Sequence, residues 1–250
     1  MKKAMPPRIG WRAIVGLSAS VRGAVAGAFA RIEVRVTQSL APWITITGLD
    51  GSGKTTLLRA LSQELGGLQF RLPHHRFVRE FLGLSGGGSA FGDVHTDRLL
   101  FAADARLTNS LIRGWRQIHP LLLSQRGWMD NFIFGAVQGV GYQETDKLLR
   151  LPELERPSAI IYLIAEPQVA FSRIAMDRNA DKYETPDFIA QQHRETVRFY
   201  EAVDARLPVL APFAGIPAIC LDTTIKTTET VLQEARAFLT RTLFDRPSHS

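Results

Sequence analysis

The sequence predicts an α/β fold, a doubly wound, five-stranded parallel sheet flanked by helices. From residue 42 onward, short apolar runs alternate with helical stretches. A glycine-rich phosphate-loop signature joins the first run to the first helical stretch. Composition removes the competing classes. A hydrophobic share of 45% is too high for a disordered chain, and one Cys builds neither a disulfide framework nor a multi-Cys zinc site.

Each strand has its own signal. Residues 43–47 are a β-branched run closed by Gly48, and residues 68–71 form a weaker second strand. Residues 127–130 are assigned as the third strand because one should follow the long helical region before them. Residues 158–164 carry the strongest strand pattern, and 218–221 the last. In that last run Cys220 reads as a small buried hydrophobe. Helical patterns cover 55–65, 95–114, 117–124, 132–140, 166–176, 186–207 and 227–243. The three consecutive glycines in 83–92 mark a mobile connector. Residues 41–245 form one domain.

A sequence pI of 9.8 suggests an anionic partner, so the position of the charge matters. Residues 1–40 hold seven basic side chains against one acid, Glu33, and account for the whole formal charge of +6. The remaining 210 residues are balanced, with 23 of each sign. Within the extension, Trp11, Ile14, Val15, Val21, Val25, Phe29, Ile32 and Val36 fall on one side of a helix. Two readings stay open: an organelle transit peptide or membrane-surface helix, and an extra helix or loose leader. Arg22 and its neighbours interrupt the run before a membrane span accumulates. One Cys and no secretory signal point to the cytoplasm, with organelle targeting as the alternative. Nucleic acid is not expected as a partner of the charge-balanced body.

The chemistry begins at Gly48-Leu49-Asp50-Gly51-Ser52-Gly53-Lys54-Thr55, which fits G-x-x-x-x-G-K-[ST] and continues into Thr56. Glycines let the backbone wrap so that N–H groups point at phosphate oxygens, and the following helix adds its positive end. Lys54 then serves the β/γ-phosphates of ATP, and the Thr55 hydroxyl ligates Mg²⁺. No Asn-Lys-x-Asp follows a later strand, which argues against a GTPase. None of Leu49, Asp50, Gly51 and Ser52 is basic, so charge on the transferred phosphoryl must be met from elsewhere. Arg178 is the best-placed donor in the segment 173–184, and Lys182 the second.

The run 44–56 resembles the opening of thymidylate kinases. Leu99-Leu-Phe-Ala-Ala-Asp104 resembles that family's nucleoside-site helix. Ile118-x-Pro120 and Gly127-Trp-Met-Asp130 resemble the run into its Asp-Arg-Tyr segment, and Asp181-Lys-Tyr-Glu184 the end of its lid. Leu221-Asp-Thr-Thr224 and the stretch after it resemble its C-terminal strand and helix. The resemblance spans about residues 42–243 and implies transfer of the ATP γ-phosphate to dTMP with Mg²⁺, usually by a homodimer. It implies that Asp50 meets the acceptor sugar, Phe101 stacks on its base and Arg71 holds its phosphate. Asp130 would support Mg²⁺ through water, and Thr223 would lie near the donor adenine.

Three departures fall in the acceptor half. Asp130-Asn131-Phe132 stands where Asp-Arg-Tyr is usual, so Asn131 replaces a phosphate-gripping Arg. With 127–130 as a strand, Arg126 would lie about 13 Å away, at its far end. Ala105 follows Asp104 where an Arg is usual, and Arg106 comes one residue late, turned by about 100°. Val137-Gln-Gly139 also lies closer to Asp130 than the family's Tyr-Gln-Gly. A monophosphate acceptor needs no general base, whereas a neutral hydroxyl would, and Asp130 is the candidate. Other nucleotide, nucleoside or sugar-type acceptors, and a catalytically decayed NTP-binding scaffold, stay open beside dTMP.

Overall fold

The structure is a computed structural model that describes residues 40–82, 93–176 and 185–244. The basic extension through residue 39, the connector at 83–92, and the segment 177–184 with Arg178 and Lys182 lie outside the described residues.

The five strands are β1 (Trp43–Gly48), β2 (Leu68–Arg71), β3 (Leu122–Gln125), β4 (Ala159–Ile164) and β5 (Ala218–Asp222). They form one sheet in the order β2-β3-β1-β4-β5, and every pairing is parallel. The described helices are α1 (Lys54–Leu65), α2 (Arg76–Phe81), α3 (Val94–Ile118), α4 (Trp128–Val137), α5 (Tyr142–Leu149), α6 (Pro167–Ala175), α7 (Pro186–Asp204) and α8 (Thr228–Leu239).

Alternation along β1 builds a core on each face. Ile44 and Ile46 pack with Leu57, Leu61, Val231 and Phe238, which seats α1 and α8. Trp43 points the other way, into Trp128, Phe132, Ile112 and Phe199 of α4, α3 and α7. All six residues of β1 are buried, as a central strand covered on both faces requires. The chain leaves the neighbouring strand β4 toward β5 on one side, and leaves β1 toward β2 on the other. The crevice above the C-terminal end of β1 is therefore the topological switch point where such sheets bind ligands.

The third strand corrects the sequence reading. It occupies Leu122–Gln125, five residues before the expected position, and 127–130 instead opens α4. Residues 117–124 are correspondingly not a separate helix, since only Gln117 and Ile118 are helical, as the end of α3. The long helix α3 ends at Ile118, because the extended residue His119 precedes Pro120. Three consecutive buried residues followed by half-buried Gln125 carry no period-two pattern, so β3 could not be told from a helical continuation. Cys220 is also corrected. It is exposed, because β5 is an edge strand with only part of its surface covered.

Candidate active site

The cradle follows β1 directly. Gly48 and Gly51 adopt φ +123° and +77°. A Cβ at Gly48 would stand 2.0 Å from the Leu163 carbonyl oxygen, and one at Gly51 would stand 2.2 Å from that of Ala170. Only glycine lets the loop lie this close to β4 and α6. Helix α1 opens with no side-chain cap, so its first N–H groups are left for an anion. The Ser52 hydroxyl is buried without a hydrogen-bond partner, an orphan that a bound group could satisfy.

Lys54 is buried, and its ammonium donates to Gly48 O at 3.0 Å, Leu49 O at 2.7 Å and Asp50 Oδ1 at 3.0 Å. These use all three of its protons. Burial pushes the Lys54 ammonium down, with the Asp50 carboxylate opposing. Burial alone would raise Asp50, but Arg126 and Lys54 together outweigh it and hold its carboxyl at about 2. A second support of the loop is absent from the sequence reading. Gln192 of α7, fully buried, accepts the Asp50 N–H through Oε1 at 3.3 Å.

Arg126 is the largest correction. With β3 ending at Gln125, it stands at that strand's C-terminal end rather than about 13 Å off. Its backbone is left-handed at φ +70°, which turns the side chain toward the cradle. The guanidinium donates to Asp50 Oδ1 at 2.7 Å and lies over the Phe134 ring at 4.8 Å. A cation therefore occupies the position that Asn131 was expected to leave neutral.

Beside it lies a cavity of about 330 Å³, walled by Leu72, Pro73, Phe101, Asn131 and Phe134 together with Arg98, Arg126 and Asp130. Phe101 and Asn131 are thus brought together as the sequence suggested. Arg98, which the sequence reading passed over, places its guanidinium 4.3 Å from the Phe101 ring. Its spacing, one helical turn before Phe101, is the signal that could have found it. Asp104 is buried beneath, accepting the N–H groups of His74 and His75 at 2.8 Å each. It fixes the loop after β2 that presents Leu72 and Pro73.

Two expected contacts are not brought here. Arg106 is exposed and donates to Glu153 and to the Leu149 carbonyl, because the extra residue turns it off the cavity-facing side of α3. Arg71 is exposed at the end of β2, where the alternating pleat sends its side chain away from Leu72. It is not among the cavity-lining residues.

Asp130 is also placed differently. It lies in the first turn of α4, in the wall of that cavity, and not at a strand end. Its Oδ2 accepts the Thr47 hydroxyl and the Gly127 N–H, both at 2.7 Å. Burial raises its carboxyl above the usual range despite Arg126. The Thr55 hydroxyl donates to the neutral Gln125, at Oε1, over 3.4 Å. Among the described residues no group of three or more His, Cys, Asp or Glu could hold a metal.

On the other side of the cradle, Arg173 ties it to the loop after β5. It donates to Thr223 O at 2.8 Å and to Gly51 O at 3.4 Å. The Thr223 hydroxyl lies 3.1 Å from both the Ser52 and Ile164 carbonyls. Ser52, Gly53, Thr56, Thr223, Lys226 and Thr228 line a second cavity of about 580 Å³.

No family model matches the chain, and no curated protein matches it in sequence. The structure is similar to a solved thymidylate kinase from Candida albicans, with a TM-score of 0.63 at 19% identity. The match covers 82% of this chain and 93% of that one. The fold is that of the P-loop nucleoside-monophosphate kinases, a nucleotide-kinase-like architecture.

Proposed function

We propose that this chain transfers the γ-phosphoryl group of Mg-ATP to a nucleoside monophosphate, dTMP foremost. The observation that carries this reading is Arg126. It stands between the cradle and a cavity walled by Phe101, Phe134 and Asn131, where a clamp for an acceptor phosphate is needed. Phe101 offers the base an aromatic wall, and Asn131 offers neutral hydrogen bonds.

The cradle glycines and the α1 N-terminus hold the donor phosphates. Lys54 leaves its three internal acceptors to meet charge on the β- and γ-phosphates. Thr55 supplies one hard oxygen ligand, and the absence of a carboxylate cage among the described residues suits a Mg²⁺ that arrives already bound to ATP. The acceptor oxygen is already anionic, so the chain's contribution is alignment and charge stabilisation.

The test is ADP formation from Mg-ATP with a panel of monophosphates, with Lys54→Ala as control. Acceptor-dependent ADP formation, strongest with dTMP and lost in Lys54→Ala, is expected. ATP binding without acceptor-dependent turnover would instead support a decayed scaffold.

A further inference from the structure

Asp130 has no task in the reaction just described. An ionised monophosphate needs no base, and a carboxylate in the wall that receives it is repulsive. The Thr55 hydroxyl bonds Gln125 and not Asp130. The chain nevertheless holds this side chain with care. It is 7% exposed, and two donors, the Thr47 hydroxyl and the Gly127 N–H, converge on Oδ2. Oδ1 accepts no hydrogen bond from the described residues and is not sealed within the protein, so it opens on the cavity.

We infer that the site also phosphorylates a neutral nucleoside hydroxyl, with Asp130 Oδ1 as the general base. This rests on the reading that the cavity takes the base and sugar of a nucleotide. Such a base needs one oxygen fixed, one oxygen free and a position beside the transferring group. The Thr47 bond supplies the third condition, because Thr47 is the residue immediately before Gly48 of the cradle. The charged and titratable groups around Asp130 are Arg126 after β3, Lys54 of α1 and Tyr162 of β4, with Arg98 and Asp104 of α3 lining the same cavity. Burial outweighs the Arg126 and Lys54 cations and raises the carboxyl above its usual range, the direction that makes it a stronger base.

In the step, Asp130 Oδ1 takes the hydroxyl proton as that oxygen bonds to the γ-phosphorus. The bond from the γ-phosphorus to the β,γ-bridging oxygen breaks, ADP leaves with that electron pair, and Asp130 later returns the proton to water. A nucleoside 5′-phosphate and ADP are the products.

The experiment compares thymidine with dTMP as acceptors for the full chain and Mg-ATP, resolving the labelled products. Both should be phosphorylated. Asp130→Asn, which keeps an oxygen for the Gly127 N–H, should cut the thymidine reaction by about 100-fold or more and the dTMP reaction by far less. The thymidine rate should fall at low pH as Asp130 protonates. Thr47→Val, which removes one bond to the carboxylate, should move that fall to higher pH while ADP binding persists. Phosphorylation of dTMP with none of thymidine would overturn the inference and leave the proposed function standing. An equal loss of both reactions in Asp130→Asn, with ADP still bound, would also overturn it. Turnover of neither acceptor by the unmodified chain would overturn both readings.

Discussion

Arg126 and Lys54 share one carboxylate oxygen. Asp50 Oδ1 lies 2.7 Å from the Arg126 guanidinium and 3.0 Å from the Lys54 ammonium, all three side chains being largely buried. Lys54 belongs to the cradle and Arg126 to the wall of the neighbouring cavity, so Asp50 joins the two.

That arrangement makes Arg126 the first residue to change. Replacing it with Ala should raise the KM for the acceptor monophosphate by about 10- to 100-fold, the worth of a charge-assisted bond of 1.5–3 kcal/mol. The KM for ATP should move much less. Steady-state kinetics with each substrate varied in turn measures the split. Equal changes in both constants would refute the assignment of Arg126 to the acceptor half.

Asp50 sets an acid limit on stability. Its folded carboxyl sits at about 2, below an unfolded value near 3.9, so its stabilisation is present above pH 4 and is lost as pH falls toward 2. The loss should be of the order of 2 kcal/mol. Urea titrations between pH 4.5 and 2 should show this slope in the natural chain and a flatter one in Asp50→Asn. The variant should also be less stable at neutral pH, because two buried cations lose their counter-ion.

Gly127 is a packing requirement of the turn that separates Arg126 from α4. A Cβ there would meet Met129 Sδ at 2.6 Å and Thr45 Cγ2 at 2.7 Å. Gly127→Ala should cost about 1–3 kcal/mol in denaturant unfolding, the usual price of overpacking. A cost below a few tenths would mean that Met129 yields freely.

Arg173→Met tests the donor side. It removes the bonds that hold Thr223 and Thr224 against the cradle while keeping the aliphatic stem. Weaker ATP binding, by about tenfold, is expected with acceptor binding preserved, as isothermal titration would show.

The strands β1, β2, β4 and β5 were legible because each pairs β-branched or apolar residues with a boundary signal. The cradle was legible because its chemistry dictates its spelling. The third strand was not. Leu122–Gln125 is too short and too uniformly buried to show a period, and misplacing it by five residues carried two site errors with it. That reading puts Arg126 at the wrong end of a strand, and Asp130 at a strand end instead of in the first turn of α4.

The sequence by itself determined the donor half. Glycines, Lys54 and Thr55 are adjacent in the chain, and local backbone geometry suffices to bring them to one phosphate. The acceptor half was decided by tertiary structure. Its walls come from the loop after β2, from α3, from the turn after β3 and from α4, segments separated by up to about sixty residues. Whether Arg126 faces that cavity depends on where β3 stops and on its own left-handed backbone there. Both follow from packing and chain closure rather than from local propensity. The free oxygen of Asp130 belongs to the same category, since only the fold shows which of its lone pairs are already taken.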